Sequence, residues 1–203
     1  MIYFVRRSFE ADENKLNHKK QLKAEINNIL KSKFNLMNID YSDNNFSYND
    51  YGKPYLKSNP DIFFNISHCH EMAVCTICNS EVGIDVENIR TYHPRVVKRV
   101  FSAKETAILE NSANKDEMFF RIWTLKESFV KAIGIGISYP MKSCEFLINE
   151  NSFDVNGCDG YSFSQIILNN KFVCSLCVKS NDSLYNNQFL RLNINENSGL
   201  LKL

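Results

Sequence analysis

The apolar positions of one stretch near the middle of the chain recur at helical spacing and predict its main helix. The buried stripe that a period of 3.6 residues defines consists of Met118, Ile122, Leu125, Phe129 and Ala132. The same period brings Thr124, Glu127 and Lys131 together on the opposite face, and Gly134 supplies the left-handed conformation that ends a helix. The pattern predicts one face for the core and one for chemistry, although Glu127 and Lys131 are also spaced as an ordinary stabilising surface pair.

A second pattern, the run Val-Gly-Ile-Asp-Val-Glu, alternates apolar with acidic positions and predicts a strand. Asp85 and Glu87 then point to one side of this strand, and the intervening apolar residues point to the other. Two carboxylates on one face repel each other unless a cation or a basic group lies between them. If Glu127 joins them from the helix, the three carboxylates form an all-oxygen site for a hard cation such as Mg²⁺.

Shorter patterns predict the remaining strands. Runs of β-branched and aromatic residues favour strands at residues 2–5, 62–66, 72–78, 144–148, 161–168 and 171–178, with a closing strand around 190–194. A short strand is also expected around Phe46 and Tyr48. Turns at Asn156-Gly157 and Asn169-Asn170 separate the late strands.

Three further helices are expected before the main one. The first spans residues 12–33, and its buried side consists of Leu22, Ile26, Ile29 and Leu30. The expected helix starts are Asp12 as a cap, His93 with Pro94, Ser102 with Glu105 as a capping box and, for the main helix, Asp116 or Glu117.

A weak internal repeat in the sequence indicates two related halves. The run at 74–78 recurs in similar form at 173–177, which predicts that the chain divides near residue 82. The acidic strand would then lie close to the seam between the halves, where ligand sites are common.

Composition excludes several classes of function. The chain has 203 residues, of which 44% are hydrophobic and 23% charged, as in an ordinary globular protein. Its net charge of +1 gives no general attraction to nucleic acid or to an anionic membrane, so neither is expected as a partner. No apolar run reaches the length of a membrane span, and the first residues place their charges after a short apolar stretch, the reverse of a signal peptide.

The seven cysteines predict a reducing, cytoplasmic setting, because their number is odd and no disulfide framework is evident. Cys75 with Cys78, and Cys174 with Cys177, have the spacing of a zinc knuckle. Both pairs lie within predicted strands without a turn residue, so we interpret them as small buried apolar side chains.

One segment holds a lysine in a fixed place, and two more are candidates for binding anions. Lys53 lies between Gly52 and Pro54 in a stiff turn. Ser67-His68 ends a predicted strand, either as a phosphate clamp or as a histidine satisfied at a strand end. A basic cluster in the first helix is either a solvated face or an anion-binding patch, and it consists of His18, Lys19, Lys20 and Lys23.

Four motifs occur in the order and approximate spacing of one enzyme family. They are Gly-Lys-Pro at 52–54, Phe-Asn-Ile-Ser-His at 64–68, Val-Gly-Ile-Asp-Val-Glu at 82–87 and Trp-Thr-Leu-Lys-Glu-Ser-Phe-Val-Lys-Ala-Ile-Gly at 123–134. Together they resemble the Sfp-type phosphopantetheinyl transferases, to which the Phe-Ser pair and the glutamate at 101–105 are also similar.

The resemblance implies an α+β fold of two similar α/β halves related by a pseudo-twofold axis, at residues 1–82 with coenzyme A contacts and at 83–203 with the metal-binding strand and main helix. It implies a cytoplasmic enzyme that transfers the 4′-phosphopantetheine arm of coenzyme A to a serine hydroxyl of an apo carrier protein and releases adenosine 3′,5′-bisphosphate. A monomer would complete the site, because the shorter, trimeric synthases of the family hold only one such half per subunit.

The resemblance also implies roles for individual residues. The metal ligands for Mg²⁺ or Mn²⁺ would be Asp85, Glu87 and Glu127, the catalytic residues Glu127, Lys131 and Asp85, and the coenzyme A contacts Lys53, Ser67, His68, Lys131 and Lys19. Glu127 would act as base directly or through a metal-bound water. The role of Lys126 stays open. Two rival functions are a non-catalytic coenzyme A or carrier-protein binding protein on the same fold and a magnesium-dependent phosphohydrolase.

Overall fold

The computed structural model describes residues 1–8, 14–149, 152–180, 188–192 and 198–201. Its helices are α1 (Lys15–Leu36), α2 (Pro94–Val100), α3 (Ala103–Asn111) and α4 (Lys115–Ile133). Its strands are β1 (Ile2–Arg6), β2 (Phe46–Tyr48), β3 (Pro54–Leu56), β4 (Phe63–His68), β5 (Met72–Cys78), β6 (Val82–Asn88), β7 (Glu145–Ile148), β8 (Phe153–Asn156), β9 (Tyr161–Leu168), β10 (Phe172–Lys179), β11 (Gln188–Leu192) and β12 (Ser198–Leu201).

Two four-stranded sheets form the framework. The first has the strand order β12-β1-β5-β4 and is antiparallel throughout. The second has the order β11-β9-β10-β6, in which only the β11–β9 pair is parallel. Helix α1 packs on the first sheet and α4 on the second, where α4 contacts β6 and β10. The predicted α+β class is confirmed, whereas the pseudo-twofold relation and the division at residue 82 stay predictions.

The seam between the sheets is closed by side chains instead of a backbone ladder. On β4, Asn65 Oδ1 accepts the backbone N–H of Ile84, at 2.9 Å. Ser67 Oγ accepts the backbone N–H of Val86, at 3.3 Å. Both N–H groups lie on β6 and are buried, so leaving either without a partner would lower the free energy of unfolding. Asn65 and Ser67 therefore join the two sheets at the strand that carries the acids.

The first helix differs from its predicted bounds at both ends. It begins at Lys15, where Asn14 accepts the N–H of Leu16 as the cap, and it continues to Leu36. The predicted cap, Asp12, lies outside the described residues. On the buried side, Leu22, Ile26 and Leu30 are confirmed, and His18 is buried as well.

The main helix begins at Lys115, one or two residues earlier than predicted, and ends as predicted. Asn114 caps it, by accepting the N–H of Glu117, and Gly134 ends it in the left-handed conformation with φ of 73°. The prediction for its outer face was wrong for Thr124, which is fully buried and lies 2.7 Å from Ser175 Oγ of β10. A short hydroxyl side chain is compatible with burial when its hydrogen bond is made inside the core.

Other predictions had mixed outcomes. The starts of α2 and α3 are confirmed, with His93 as a cap and the full capping box of Ser102 and Glu105. The pattern missed β3, β8 and β12, because strands of three or four residues give too few positions to show a period. The predicted closing strand is observed as β11, up to Leu192, and its last predicted residues lie outside the described part.

The fold shows the state of the cysteines and the membrane-spanning potential of the helices. All seven cysteines are free, and both pairs with zinc-knuckle spacing lie on regular strands, β5 and β10. Among the described helices, none combines the length and the apolar character needed to cross a bilayer.

Gly83 allows the main helix to lie directly on the acidic strand. A Cβ atom at Gly83 would come 2.0 Å from the Ser128 carbonyl oxygen and 2.3 Å from the Ala132 nitrogen. Both are backbone atoms of α4, so no side-chain rotation could relieve the overlap. Glycine at this position therefore sets the distance between β6 and α4.

A fully buried ion pair fixes the other side of the main helix. Lys126 Nζ lies 2.9 Å from Glu105 Oε1, and both side chains have 0% exposure. The ammonium also donates to the carbonyl oxygens of Met141 and Cys144, and Glu105 accepts the N–H of Phe146. Lys126 therefore holds α4 to α3 and to the segment before β7, and it points away from the acidic face.

We expect Gly83→Ala to destabilise the fold, because the added methyl group must push the backbone of α4 away from β6. The free energy of unfolding should fall by about 3 kcal/mol, as measured by urea denaturation. Gly136→Ala is the control: Gly136 has a φ of 59° with no atom near its Cβ position, so it tests backbone strain alone. A loss for Gly83→Ala no larger than for the control would contradict the close packing.

We expect Lys126→Met to lower the free energy of unfolding by about 3–5 kcal/mol, because it leaves the Glu105 carboxylate buried without its cation. Urea denaturation measures the loss, and the double variant with Glu105→Gln should recover part of it. Lys115→Met, which removes an exposed ion pair with Glu110 at the start of the same helix, should change the midpoint little. Equal effects of the two lysine variants would show that burial does not strengthen the pair.

Candidate active site

One cavity of about 300 Å³ collects most of the site residues that the sequence predicted. It is lined by Ile66, Ser67, His68, Asp85, Glu87, Trp123, Glu127 and Lys131. The three predicted carboxylates thus line one cavity, two from β6 and one from α4. Strand β4 contributes the serine and the histidine from across the seam.

A hydrogen-bonded triad forms the floor of this cavity, which we call the acidic cavity. Lys131 Nζ donates to Asp85 Oδ1 at 2.6 Å and to Ser67 Oγ at 2.9 Å. The Ser67 hydroxyl in turn donates to the same Asp85 oxygen at 2.8 Å. Asp85 is 5% exposed, so its charge needs these partners. The triad links α4, β6 and β4 through one carboxylate oxygen.

The other two carboxylates, Glu127 and Glu87, are partly buried and lie near the negative charge of Asp85. Burial, followed by the charge of Asp85, raises the pKa of Glu127 to about 7. Burial also raises the pKa of Glu87, although the ion pair with Arg90 opposes this shift. Both shifts mean that the cavity disfavours its own carboxylate charges, as expected of a site that a cation completes.

The residues fit a magnesium ion by their chemistry. Asp85 Oδ2 is buried and, among the described residues, has no hydrogen-bond partner, so one lone-pair position is open for a ligand. Within the described part of the chain, no three His, Cys, Asp or Glu side chains already have metal-binding geometry. Glu87 is instead paired with Arg90, at 2.7 Å, and Lys131 covers the first oxygen of Asp85. Carboxylate oxygens are the donors that Mg²⁺ prefers.

A larger and more basic cavity, of about 610 Å³, adjoins the acidic cavity. We call it the basic cavity, and its lining residues are Lys15, His18, Lys19, His68, Cys69, His70, Glu87, Asn88, Ile89 and Arg90. His68 and Glu87 line both the acidic and the basic cavity, so the two cavities lie side by side. Burial and then the charge of Lys23 lower the pKa of His68, which leaves its imidazole neutral at physiological pH. Lys19, exposed on α1, lies here and not in the acidic cavity.

A third cavity, of about 280 Å³, lies on the other side of Glu127 and Lys131 and extends to the turn at 52–54. Lys53 lines it, but its ammonium donates to the carbonyl oxygens of Val82, at 3.1 Å, and Ala132, at 2.6 Å. Burial lowers the pKa of Lys53 to about 8. Lys53 therefore lies apart from the triad and has backbone partners of its own.

Two contributors to the site were missed by the sequence reasoning. Arg90 holds Glu87 and stacks on the Phe120 ring at 4.7 Å. The only hint in the sequence was that Arg90 follows Glu87 by three residues. Because β6 ends at Asn88, the alternation of the strand does not predict where the Arg90 side chain points. Asn65 belongs to one of the four motifs, but the sequence predicted no role for it. In the structure it accepts the backbone N–H of Ile84 and so joins the two sheets beside the site.

Comparison with known proteins agrees with this geometry. Residues 81–177 match the family model of the 4′-phosphopantetheinyl transferase superfamily. The 4′-phosphopantetheinyl transferase gsp of Aneurinibacillus migulanus is 39% identical over 125 residues, which cover 61% of this chain and 51% of that protein. The 4′-phosphopantetheinyl transferase Sfp of Bacillus subtilis is 36% identical over 116 residues, which cover 56% of this chain and 51% of that protein.

The similarity has clear bounds. The chain spans about half the length of these curated relatives. Among solved structures, the holo-[acyl-carrier-protein] synthase of Thermotoga maritima matches with a TM-score of 0.44 and 21% identity, over 51% of this chain and 64% of that chain. The matched segment contains β6 and α4, and with them all three carboxylates and Lys131. The family match and the curated relatives thus show that the part of the chain that holds the candidate site is similar to the 4′-phosphopantetheinyl transferase superfamily.

Proposed function

We propose that this protein transfers the 4′-phosphopantetheine arm of coenzyme A to a serine hydroxyl of an apo carrier protein. The observation that carries the proposal is the convergence of Asp85, Glu87, Glu127 and Lys131 on one cavity that lies beside a basic one. The basic cavity suits the phosphorylated nucleotide end of coenzyme A, and the acidic cavity with a bound cation suits its diphosphate. The third cavity would then take the pantetheine arm.

In the reaction, the serine oxygen forms a bond to the phosphorus that carries the pantetheine arm, and the bond from that phosphorus to the bridging diphosphate oxygen breaks. The products are the holo carrier protein and adenosine 3′,5′-bisphosphate. Phosphoryl transfer of this kind depends on positioning and on stabilising negative charge rather than on covalent catalysis.

Several residues of this chain would supply those two effects. Lys131 extends from α4 into the acidic cavity, where its ammonium can neutralise charge that develops on the diphosphate. His68 lines both the acidic and the basic cavity and can donate a hydrogen bond to a phosphate oxygen. Ser67 lines the acidic cavity beside it, and its hydroxyl would contact a phosphate only by leaving Asp85. Lys19 lies further out, where it can pair with the phosphate of the nucleotide.

Glu127 is our candidate for the acceptor of the serine proton. Its carboxylate lines both the acidic cavity and the third cavity, so it lies between the expected positions of the diphosphate and the pantetheine arm. Asp85, Glu87 and Glu127 would hold Mg²⁺, or Mn²⁺ in its place. When bound, the ion neutralises diphosphate oxygens and stabilises the charge that develops as the bond breaks.

The setting of the reaction is also part of the proposal. Both sheets of a single chain contribute to the acidic cavity, which supports a monomer as the active form. The free cysteines support a reducing, cytoplasmic compartment.

The decisive measurement is the mass of an apo carrier protein after incubation with this protein, coenzyme A and Mg²⁺. We expect a gain of about 340 daltons, the mass of one phosphopantetheine arm, that depends on the carrier serine. A carrier with that serine replaced by alanine is the control. Coenzyme A bound without a mass change would indicate a binding protein, and carrier-independent loss of coenzyme A would indicate a hydrolase.

We expect Glu127→Gln to lower kcat for transfer at least about 100-fold, because it removes both a metal ligand and a proton acceptor. Its affinity for Mn²⁺, measured by electron paramagnetic resonance without coenzyme A, should fall as well, while the urea midpoint stays near that of the wild type. Glu110→Gln, an exposed change on α3, is the matched control. Normal transfer and normal Mn²⁺ binding by Glu127→Gln would remove it from the site.

A further inference from the structure

The C-terminal end of the main helix is held by side chains of the loop between β2 and β3. The last carbonyl groups of a helix have no partner within it, and cations near this end interact well with the helix dipole. Lys53 Nζ donates to the carbonyl oxygen of Ala132 at 2.6 Å, and Asn49 Nδ2 donates to that of Gly134 at 2.8 Å. One loop thus satisfies two carbonyl groups at the end of α4.

Asn49 also gives this loop its shape. Its side-chain oxygen accepts the backbone N–H groups of Tyr51, at 3.0 Å, and Lys53, at 2.8 Å. Its backbone N–H donates to the Lys53 carbonyl oxygen, at 3.0 Å. The asparagine therefore closes the loop and attaches it to the helix with the same side chain.

The Lys53 ammonium joins the two elements that build the acidic cavity. Its second acceptor is the carbonyl oxygen of Val82, the first residue of β6, at 3.1 Å. Asp85 follows three residues later on that strand, and Lys131 immediately precedes Ala132 on the helix. A single ammonium group therefore bridges the start of β6 and the end of α4, beside the point where Gly83 brings the two backbones together.

The fit around this bridge is close. A Cβ atom on Gly134 would come 2.8 Å from Lys53 Cδ and 3.1 Å from Asn49 Nδ2. The lysine stem and the asparagine amide therefore lie directly against the helix end. A phosphate contact would require the ammonium to leave two carbonyl groups, one of them at the end of a helix, without their charged partner.

We propose that Asn49 and Lys53 are positioning residues that clamp the end of α4 to β6 and thereby hold Lys131 and Glu127 at the geometry that transfer requires. The part that concerns transfer rests on the proposed function, whereas the clamp itself does not. The assignment replaces the expected phosphate contact of Lys53 with contacts to the backbone.

The test uses hydrogen–deuterium exchange of the 203-residue chain without coenzyme A. In Asn49→Ala and in Lys53→Met, the amides of the last turn of α4 should exchange about tenfold faster than in the wild type, because the helix end has lost a hydrogen-bonded anchor. Lys19→Met, a change in the basic cavity, should weaken coenzyme A binding in calorimetry without altering this exchange. Unchanged exchange in both Asn49→Ala and Lys53→Met would overturn the clamp.

Kinetics separate positioning from general loss of stability. Asn114→Ala removes the cap at the other end of the same helix, so it should lower the unfolding midpoint without lowering kcat for transfer. Asn49→Ala should lower kcat about tenfold at saturating coenzyme A, whereas the loss of a contact that only binds coenzyme A would raise KM and leave kcat unchanged. Wild-type kcat in Asn49→Ala, with faster exchange, would leave a clamp that does not act on catalysis and would overturn the positioning role.

A failure of the proposed function gives a different result. In that case the wild type transfers nothing, and the exchange comparison still tests the clamp. If Asn49→Ala does not fold, Asn49→Asp serves instead, since it keeps the acceptor for Tyr51 and Lys53 and loses only the donor to Gly134. Its last turn should exchange faster as well, and wild-type exchange there would count against the clamp.

Discussion

The structure depends on the contact between the backbones of β6 and α4 at Gly83. The contact leaves no room for a side chain, so the distance between the strand and the helix is set by van der Waals contact of backbone atoms rather than by packing of flexible side chains. Asp85 lies two residues beyond it on the strand, while Glu127 and Lys131 lie within one turn of it on the helix. The charged groups converge because the two backbones already touch.

Like charges brought together in this way would repel each other, and the molecule compensates on each side. Lys131 covers one oxygen of Asp85, and Arg90 holds Glu87. On the far side of the helix, Lys126 and Glu105 form a pair without access to water. The helix is therefore fixed by a buried ion pair on one face and directs its chemistry from the other, so the two charged neighbours Lys126 and Glu127 have opposite environments.

Much of the site could be predicted from sequence, because its determinants are periodic. The alternation in β6 gives the common direction of Asp85 and Glu87, and the helical period of α4 gives the common face of Glu127 and Lys131. That strand and helix meet was a hypothesis in the sequence, and the cavity that their side chains share supports it. The sequence left Ser67 and His68 open between a phosphate clamp and a strand end, and the family resemblance favoured the first. No period within one strand could relate their positions on β4 to β6.

The features that could not be predicted from the sequence depend on contacts between distant segments of the chain. Thr124 has the polarity of a surface residue, but its partner Ser175 lies on β10, so its burial is set by tertiary packing. Lys53 has the sequence context of a phosphate ligand, and only the fold shows that two carbonyl groups are within its reach. The strand β12 pairs with β1 across nearly the whole chain, and short strands with such remote partners leave little local pattern.

The side-chain seam between the sheets has a consequence for how such proteins change over time. Asn65 and Ser67 satisfy buried N–H groups of β6, and Ser67 also contacts Asp85 and Lys131. Under the proposed function, a homologue without activity would still need both side chains to keep its two sheets together. Such a homologue should therefore lose Glu127 or Lys131 sooner than Asn65 or Ser67.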